Sequence, residues 1–299
     1  KLGSDATSIV GLTESMLTIV YAFGIGFAMS VTAIVSRRIG EKEPRKAANA
    51  AYQALIVAGA TTIIISIIGI FFSDNLLRLM GANNELISKH GGYTQLMLGG
   101  NFTIMLIFIL NGIYRGAGDA AIAFKVLFFS NIVNIILDPL LIFGIGPFPE
   151  LGVAGAAVAT NIGRGLGVAY QLYILFSGSS RIQLYLKDLK IDFEQIIAYL
   201  KLSSSGIFQF LIGTSSWIVM VRIISEFGSI AVAGYTIGIR IIIFALLPSA
   251  GLSNAAATLV GQNLGAGKPH QAEKSVWLTG IANAIFLGSI GLILIIWPE

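Results

Sequence analysis

Eight stretches of predominantly apolar residues recur along the chain, near 13–36, 50–72, 94–114, 122–145, 152–176, 203–226, 230–262 and 276–297. About 20 such residues in helical form match the hydrocarbon core of a bilayer. Lipid offers no partner to an open sheet edge, so each stretch reads as a membrane-crossing helix. The fold class is therefore all-α integral membrane: a polytopic helical bundle with about eight spans present. Composition agrees, with 55% hydrophobic residues and only 11% charged, where a soluble domain carries about 25% charge. The seventh stretch contains "PSAGLSNAAA" (248–257), a proline among small residues, and a kink is expected there.

Charge gathers in alternate connections. Segments 37–49, 115–125, 178–201 and 263–275 hold 13 basic residues, against Arg78, Lys89 and Arg222 in the others. By the positive-inside rule the first group is cytoplasmic, which accounts for the net charge of +4 without nucleic acid. The expected location is the cell inner (plasma) membrane, multi-pass. Segment 178–201 reads as a cytoplasmic connector with one amphipathic helix. With no cysteine there is no disulfide or thiolate metal site. Both histidines, His90 and His270, sit in connecting segments, so no catalytic triad is available and an enzyme is not expected. "GAGDAA" (116–121) and "GAGKP" (265–269) resemble nucleotide loops but join membrane spans, outside any α/β unit.

Sliding the sequence on itself by 225 residues lays "AIVSRRIGEKEPRKA" (33–47) on "TLVGQNLGAGKPHQA" (258–272). Gly3, Ser4, Ala6, Gly26, Val35, Gly40, Pro44 and Ala47 meet identical residues without a gap. One period contains six spans, an even number, so the two copies share an orientation and their axis lies along the membrane normal. Both chain ends read as cut. The expected whole is two pseudo-symmetric six-helix lobes: 1–177 the N-terminal lobe without its first helix, 178–201 the connector, and 202–299 the first three helices of the C-terminal lobe.

Polar groups inside the spans are the candidates for function. Asn131, Asn134 and Asp138 follow i, i+3, i+7 spacing in "NIVNIILDPLLIFG" (131–144), which stacks them on one helix face. Pro139 lacks an N–H, so the Ile135 carbonyl loses its helical partner. The stripe offers oxygens that suit Na⁺, or a proton on Asp138. Asn111, Thr160 and Asn161 each either face the same cavity or pack against a neighbouring helix, and Arg164 and Arg240 either line it or snorkel. Gly163 and Gly167, extended by Ala159, mark close helix packing.

"NGIYRGAGDA" (111–120), "NIILDPLLIFG" (134–144), "LGVAGAAVAT" (151–160) and "GQNLGAGKPHQA" (261–272) together resemble the MATE (multidrug and toxic compound extrusion) family, most closely its DinF-like branch. The resemblance implies an antiporter whose two lobes alternate between inward-open and outward-open states. Inward Na⁺ or H⁺ movement would drive export of small organic, often cationic compounds, with no other cofactor and a monomer in the bilayer. It assigns ion or proton coupling to Asp138, Asn134 and Thr160, with Asn111 nearby, and makes the first three the Na⁺ ligands if sodium is used. One turn before Asn111, where the resemblance leads one to expect Asn, stands Phe108. A lipid-linked oligosaccharide flippase of the same superfamily is the alternative.

Overall fold

The computed structural model describes residues 3–185 and 190–296, and among them the regular elements are all helices. Lys187, counted above with the basic segments, and the residues at the two chain ends lie outside the described residues. In chain order the helices are α1 (Gly3–Gly40), α2 (Pro44–Leu79), α3 (Asn84–Gly99), α4 (Asn101–Ala117), α5 (Ala120–Phe143), α6 (Val153–Ser177), α7 (Phe193–Ser225), α8 (Ser229–Gly265) and α9 (Pro269–Ile296). Taking α3 and α4 as one, they follow the eight expected spans. Seven of these units are long and apolar enough to cross a membrane. The exception is α6: its 25 residues suffice in length, but they include Asn161, Arg164 and Gln171.

Two boundaries differ from expectation. The third span breaks at Gly100, because two side chains staple it there. Asn161 of α6 donates to the Leu96 carbonyl at 3.0 Å and accepts from Thr103 Oγ1 at 3.0 Å. Asn101 donates to the Leu98 carbonyl at 2.7 Å and to Ser66 Oγ of α2 at 2.8 Å. Replacing Asn161 by leucine should remove the α6 staple and lower stability by about 1 kcal/mol, measured as a reduced Tm in detergent. Next, α7 starts at Phe193 rather than near 203, capped by Asp192, whose Oδ1 accepts from the Gln195 amide at 3.1 Å. That backbone hydrogen bond holds the Asp192 carboxyl below its ordinary range. Helix α8 continues as one helix through Pro248, the proline at which a kink is expected.

The internal repeat is visible in the geometry. Helix α1 pairs with α8 and α2 with α9, each second helix opening on proline. Their linking turns share the same hydrogen bonds. Glu41 N to Arg37 O is 2.9 Å, as is Ala266 N to Gln262 O; Glu43 N to Arg38 O is 3.0 Å, and Lys268 N to Asn263 O is 2.8 Å. Lys42 has φ 59°, the one positive φ at a non-glycine among the described residues, and Gly267, its equivalent, has φ 69°. A left-handed backbone costs an L-residue roughly 1–2 kcal/mol, and glycine avoids this. Lys42→Gly should accordingly raise stability by about 1 kcal/mol, read as a higher Tm in detergent.

The two halves meet on the axis of this repeat. A Cβ on Gly40 would collide with the Gln262 carbonyl, and a Cβ on Gly265 with the Arg37 carbonyl. These two contacts exchange under the 225-residue shift, while Gly261 against Ser36 maps onto itself. Thr258 Oγ1 donates to the Arg115 carbonyl and Gln262 Nε2 to that of Gly116, each at 3.2 Å. Among the described residues, the buried positions of α7 to α9 are Tyr199, Ser203, Gly206, Thr258 and Ala272, all toward the end that carries the basic loops. The halves are therefore joined at that end and apart at the other.

Candidate functional site

Helices α5 and α6 pack closely along their lengths, and glycine sets their separation. A Cβ on Gly163 would lie 2.7 Å from the Ser130 carbonyl, and one on Gly167 would strike Ser130 Oγ. Gly155 stands in the same way against the Leu141 carbonyl. The small face expected at Gly163 and Gly167 is thus present, extended by Gly155 as well as by the buried Ala159.

This close approach lets polar side chains reach across. Asn134 Nδ2 donates to Asp138 Oδ1 at 3.1 Å and to Thr160 Oγ1 at 3.2 Å. Asn134 and Asp138 of the stripe read from spacing are therefore half-buried beside α6, while Asn131 is exposed on the cavity wall and Ile132, Ile135 and Ile136 are exposed on the outer faces. A carboxylate at the centre of a membrane helix costs about 2.5–3.5 kcal/mol on insertion scales; Asp138 lies in the last turns of α5, with its Oδ1 held by Asn134. Among the described residues no three or more His, Cys, Asp or Glu side chains converge as a metal site. One carboxylate, the Thr160 hydroxyl, the Ile135 carbonyl and an inverted Asn134 amide would suffice for one proton or one weakly held monovalent cation.

Beside this trio lies a cavity of about 440 Å³ between α1, α4, α5 and α6. Asn131, Asn134, Thr160 and Arg164 line it, and so does Asn111. Asn111 does not join the trio, however: its Oδ1 accepts from Gln171 Nε2 of α6 at 2.7 Å. Asn161, read as facing this cavity or packing against a helix, is the staple on the broken helix. Arg240, read as lining the cavity or snorkelling, is exposed on α8, and the walls come from the first half. Asp138 is not itself a wall residue and communicates with the cavity through Asn134.

Four lining or supporting residues were missed from sequence. Tyr21 and Phe108 meet edge to face with centroids 6.2 Å apart, and Phe108 covers Gly24 of α1. Arg115 had been read only as a topology marker, and Gln171 as an unremarked polar residue in a span. Glutamine inside an apolar helix was the available signal for the latter. Neither Arg115 nor Arg164 pairs with a carboxylate, and the buried atoms Arg115 Nε, Arg164 Nη1, Ser130 Oγ and Gln171 Oε1 lack hydrogen-bond partners among the described residues.

Comparison with known proteins agrees with this architecture. The chain is 26% identical over 279 residues to an FAD transporter of Shewanella oneidensis, covering 93% of this chain and 62% of that protein. It is 27% identical over 295 residues to the probable multidrug resistance protein NorM of Thermotoga maritima, covering 98% of this chain and 63% of the relative. The chain thus spans less than two thirds of the length of either. A solved MOP-superfamily transporter from Pyrococcus furiosus, described as having reversed polarity of its binding pocket, superposes with a TM-score of 0.88 at 26% identity. That likeness covers 99% of this chain and 66% of the other. The family model MatE matches residues 1–140 and 206–299. These relatives are transporters rather than enzymes, and the helices are those of a multi-pass membrane protein. The chain belongs to the MatE family.

Proposed function

We propose that the full-length protein is a secondary antiporter exporting drugs or other small organic compounds, driven by inward movement of Na⁺ or H⁺. The observation that carries this reading is the Asn134–Asp138–Thr160 trio: one acid that accepts from the Asn134 amide, which also donates to Thr160, opening through Asn134 onto a cavity in one of two repeat-related halves. Loading that acid would bias the lobe between two arrangements, and a compound held between or within the lobes would follow.

Residues 1–177 then act as one lobe and 202–299 as part of the other, with 178–201 as the connector. The basic loops lie in the cytoplasm of a plasma-membrane protein working as a monomer. Since the halves touch at the basic end, the conformation is open to the outside. The multidrug name of the Thermotoga relative supports organic cargo, and that of the Shewanella relative extends the range to an anionic dinucleotide. A lipid-linked oligosaccharide flippase draws support from one observation, the two arginines sharing the cavity.

Proteoliposomes containing full-length protein, with Na⁺ and proton gradients imposed separately, test the proposal. Uptake or release of a dye such as ethidium under one gradient and not the other is expected. Movement of a lipid-linked sugar, with no dye transport under either gradient, would replace this reading with the flippase.

A further inference from the structure

The connector between the halves is fastened to the first half at both of its described ends. At one end Ile182 and Leu184 are buried, and the Leu184 amide donates to the Leu175 carbonyl at 2.9 Å. There the Arg181 amide also donates to Asp119 Oδ2 at 2.8 Å. At the other end Gln53 of α2 does the fastening. Its Nε2 donates to the Lys190 carbonyl at 2.6 Å, and its Oε1 accepts from the Asp192 amide at 3.3 Å. Nε2 also donates to Asn49 Oδ1 at 2.8 Å. Gln53 is 1% exposed, so these bonds form away from water, where an unmade one is costly.

The internal repeat isolates the purpose of this glutamine. Shifted by 225 residues, Asn49 and Gln53 fall on Lys274 and Leu278 of α9, and Leu278 is exposed. The two helices otherwise begin alike, each on a proline. The Asn49–Gln53 pair therefore departs from the repeat in the copy that carries the connector.

No slack separates this fastening from the second half. Asp192 is the N-cap of α7, so the residue that Gln53 grips is the one from which that helix starts. The next turns lie against α1. Tyr199, 2% exposed, donates from its hydroxyl to the Phe27 carbonyl at 2.9 Å. Gly206 stands against Gly26, where a Cβ would lie 3.0 Å from the Gly26 Cα. Tyr199 is about 10 Å along the helix from Asp192, and Ser225 about 50 Å, at the helical rise of about 1.5 Å per residue. A rotation about Asp192 thus moves the turns on α1 little and the far end of α7 much.

We propose that Gln53 is a buckle that fixes the start of α7 to the first half, and that the second half turns about this point when the basic end opens. Gln53 is then a positioning residue for transport, acting through Lys190 and Asp192. Only the turning of the halves rests on the export reading; the buckle does not.

Two pairs of spin labels on full-length protein in nanodiscs, with any cysteine elsewhere replaced, test this. Lys46→Cys with Glu194→Cys, both exposed, spans the buckle, and Arg45→Cys with His270→Cys spans the basic ends of the halves. The first pair should give one narrow distance when Gln53 is intact. Gln53→Leu, which installs the residue found at 278, should raise the population of a longer distance by about 5- to 30-fold, the size of one or two net hydrogen bonds. Gln53→Glu keeps an acceptor for the Asp192 amide and should raise it less. In proteoliposomes Gln53→Leu should lower the maximal rate of ethidium export and leave its KM unchanged. A first pair that Gln53→Leu leaves unchanged would overturn the proposal. So would a first pair already split with Gln53 intact, its two distances following those of the second pair, because the start of α7 would then travel with the second half. If the first pair behaves as expected while the second keeps one distance and no gradient drives ethidium, the export reading fails and the buckle stands.

Discussion

Full-length protein carrying Asp138→Asn is expected to reach the membrane and lose ion-driven export, by roughly 5- to 150-fold, the range of a coupling of about 1–3 kcal/mol. The reasoning starts from what the substitution preserves. Asparagine has nearly the shape of aspartate and keeps an oxygen to accept from Asn134 Nδ2, which now lies 3.1 Å from Asp138 Oδ1. It also removes the insertion cost of a carboxylate, so folding should not suffer. What disappears is the one group of the trio that binds a proton or carries a full charge for Na⁺. An ion shifts an equilibrium only by its differential affinity for the two states, and without that group the gradient has nothing to act on. If Asp138 merely bonds helices together, the variant will export ethidium at the wild-type rate in cells, and the coupling role must be abandoned. Counterflow of dye without a gradient should persist in the variant, which separates lost coupling from lost binding.

The parts legible in sequence share a property: the physics that made them is local. Span lengths follow from a fixed rise per residue, and the Asn131, Asn134, Asp138 stripe from helical periodicity. The repeat was legible because a turn with a left-handed residue and a proline two positions later leaves the same mark at 40–47 and 265–272. The missed features depend on partners distant in the chain. The break at Gly100 had a local mark in Gly99, Gly100 and Asn101, but the staple from Asn161, sixty-odd residues on, had none. Spacing gave Asn161 and Asn111 equal claims on the cavity, yet one holds a backbone carbonyl and the other Gln171. Arg164 was ambiguous for the same reason: whether a guanidinium in a span snorkels or lines a cavity depends on which neighbouring helices close around it.

Placing a methyl group on either axis glycine should prevent the halves from joining at the basic end. In Gly265→Ala the new Cβ meets the Arg37 carbonyl, and in Gly40→Ala the Gln262 carbonyl; both obstacles are helix backbone that cannot rotate aside. Overpacking of this kind costs about 1–3 kcal/mol, which moves a two-state equilibrium by roughly 5- to 150-fold. Alanine is also the better helix former by about 1 kcal/mol, so a local loss of helix cannot produce the effect. These 299 residues hold no cysteine, so spin labels introduced at Arg45→Cys and His270→Cys, equivalent exposed positions of the two copies, report only their own separation once any cysteine elsewhere in the full-length protein is replaced. Wild type should show a short distance that each glycine variant depletes in favour of a longer one. Because the contacts exchange under the repeat, the two variants should shift the distribution to a similar extent, and both should slow export, which requires each state in turn. Unchanged distances in both variants would mean that this contact does not gate the basic end. A shift in only one of them would mean that the two halves do not move as equivalent units about the axis on which Ser36 and Gly261 meet.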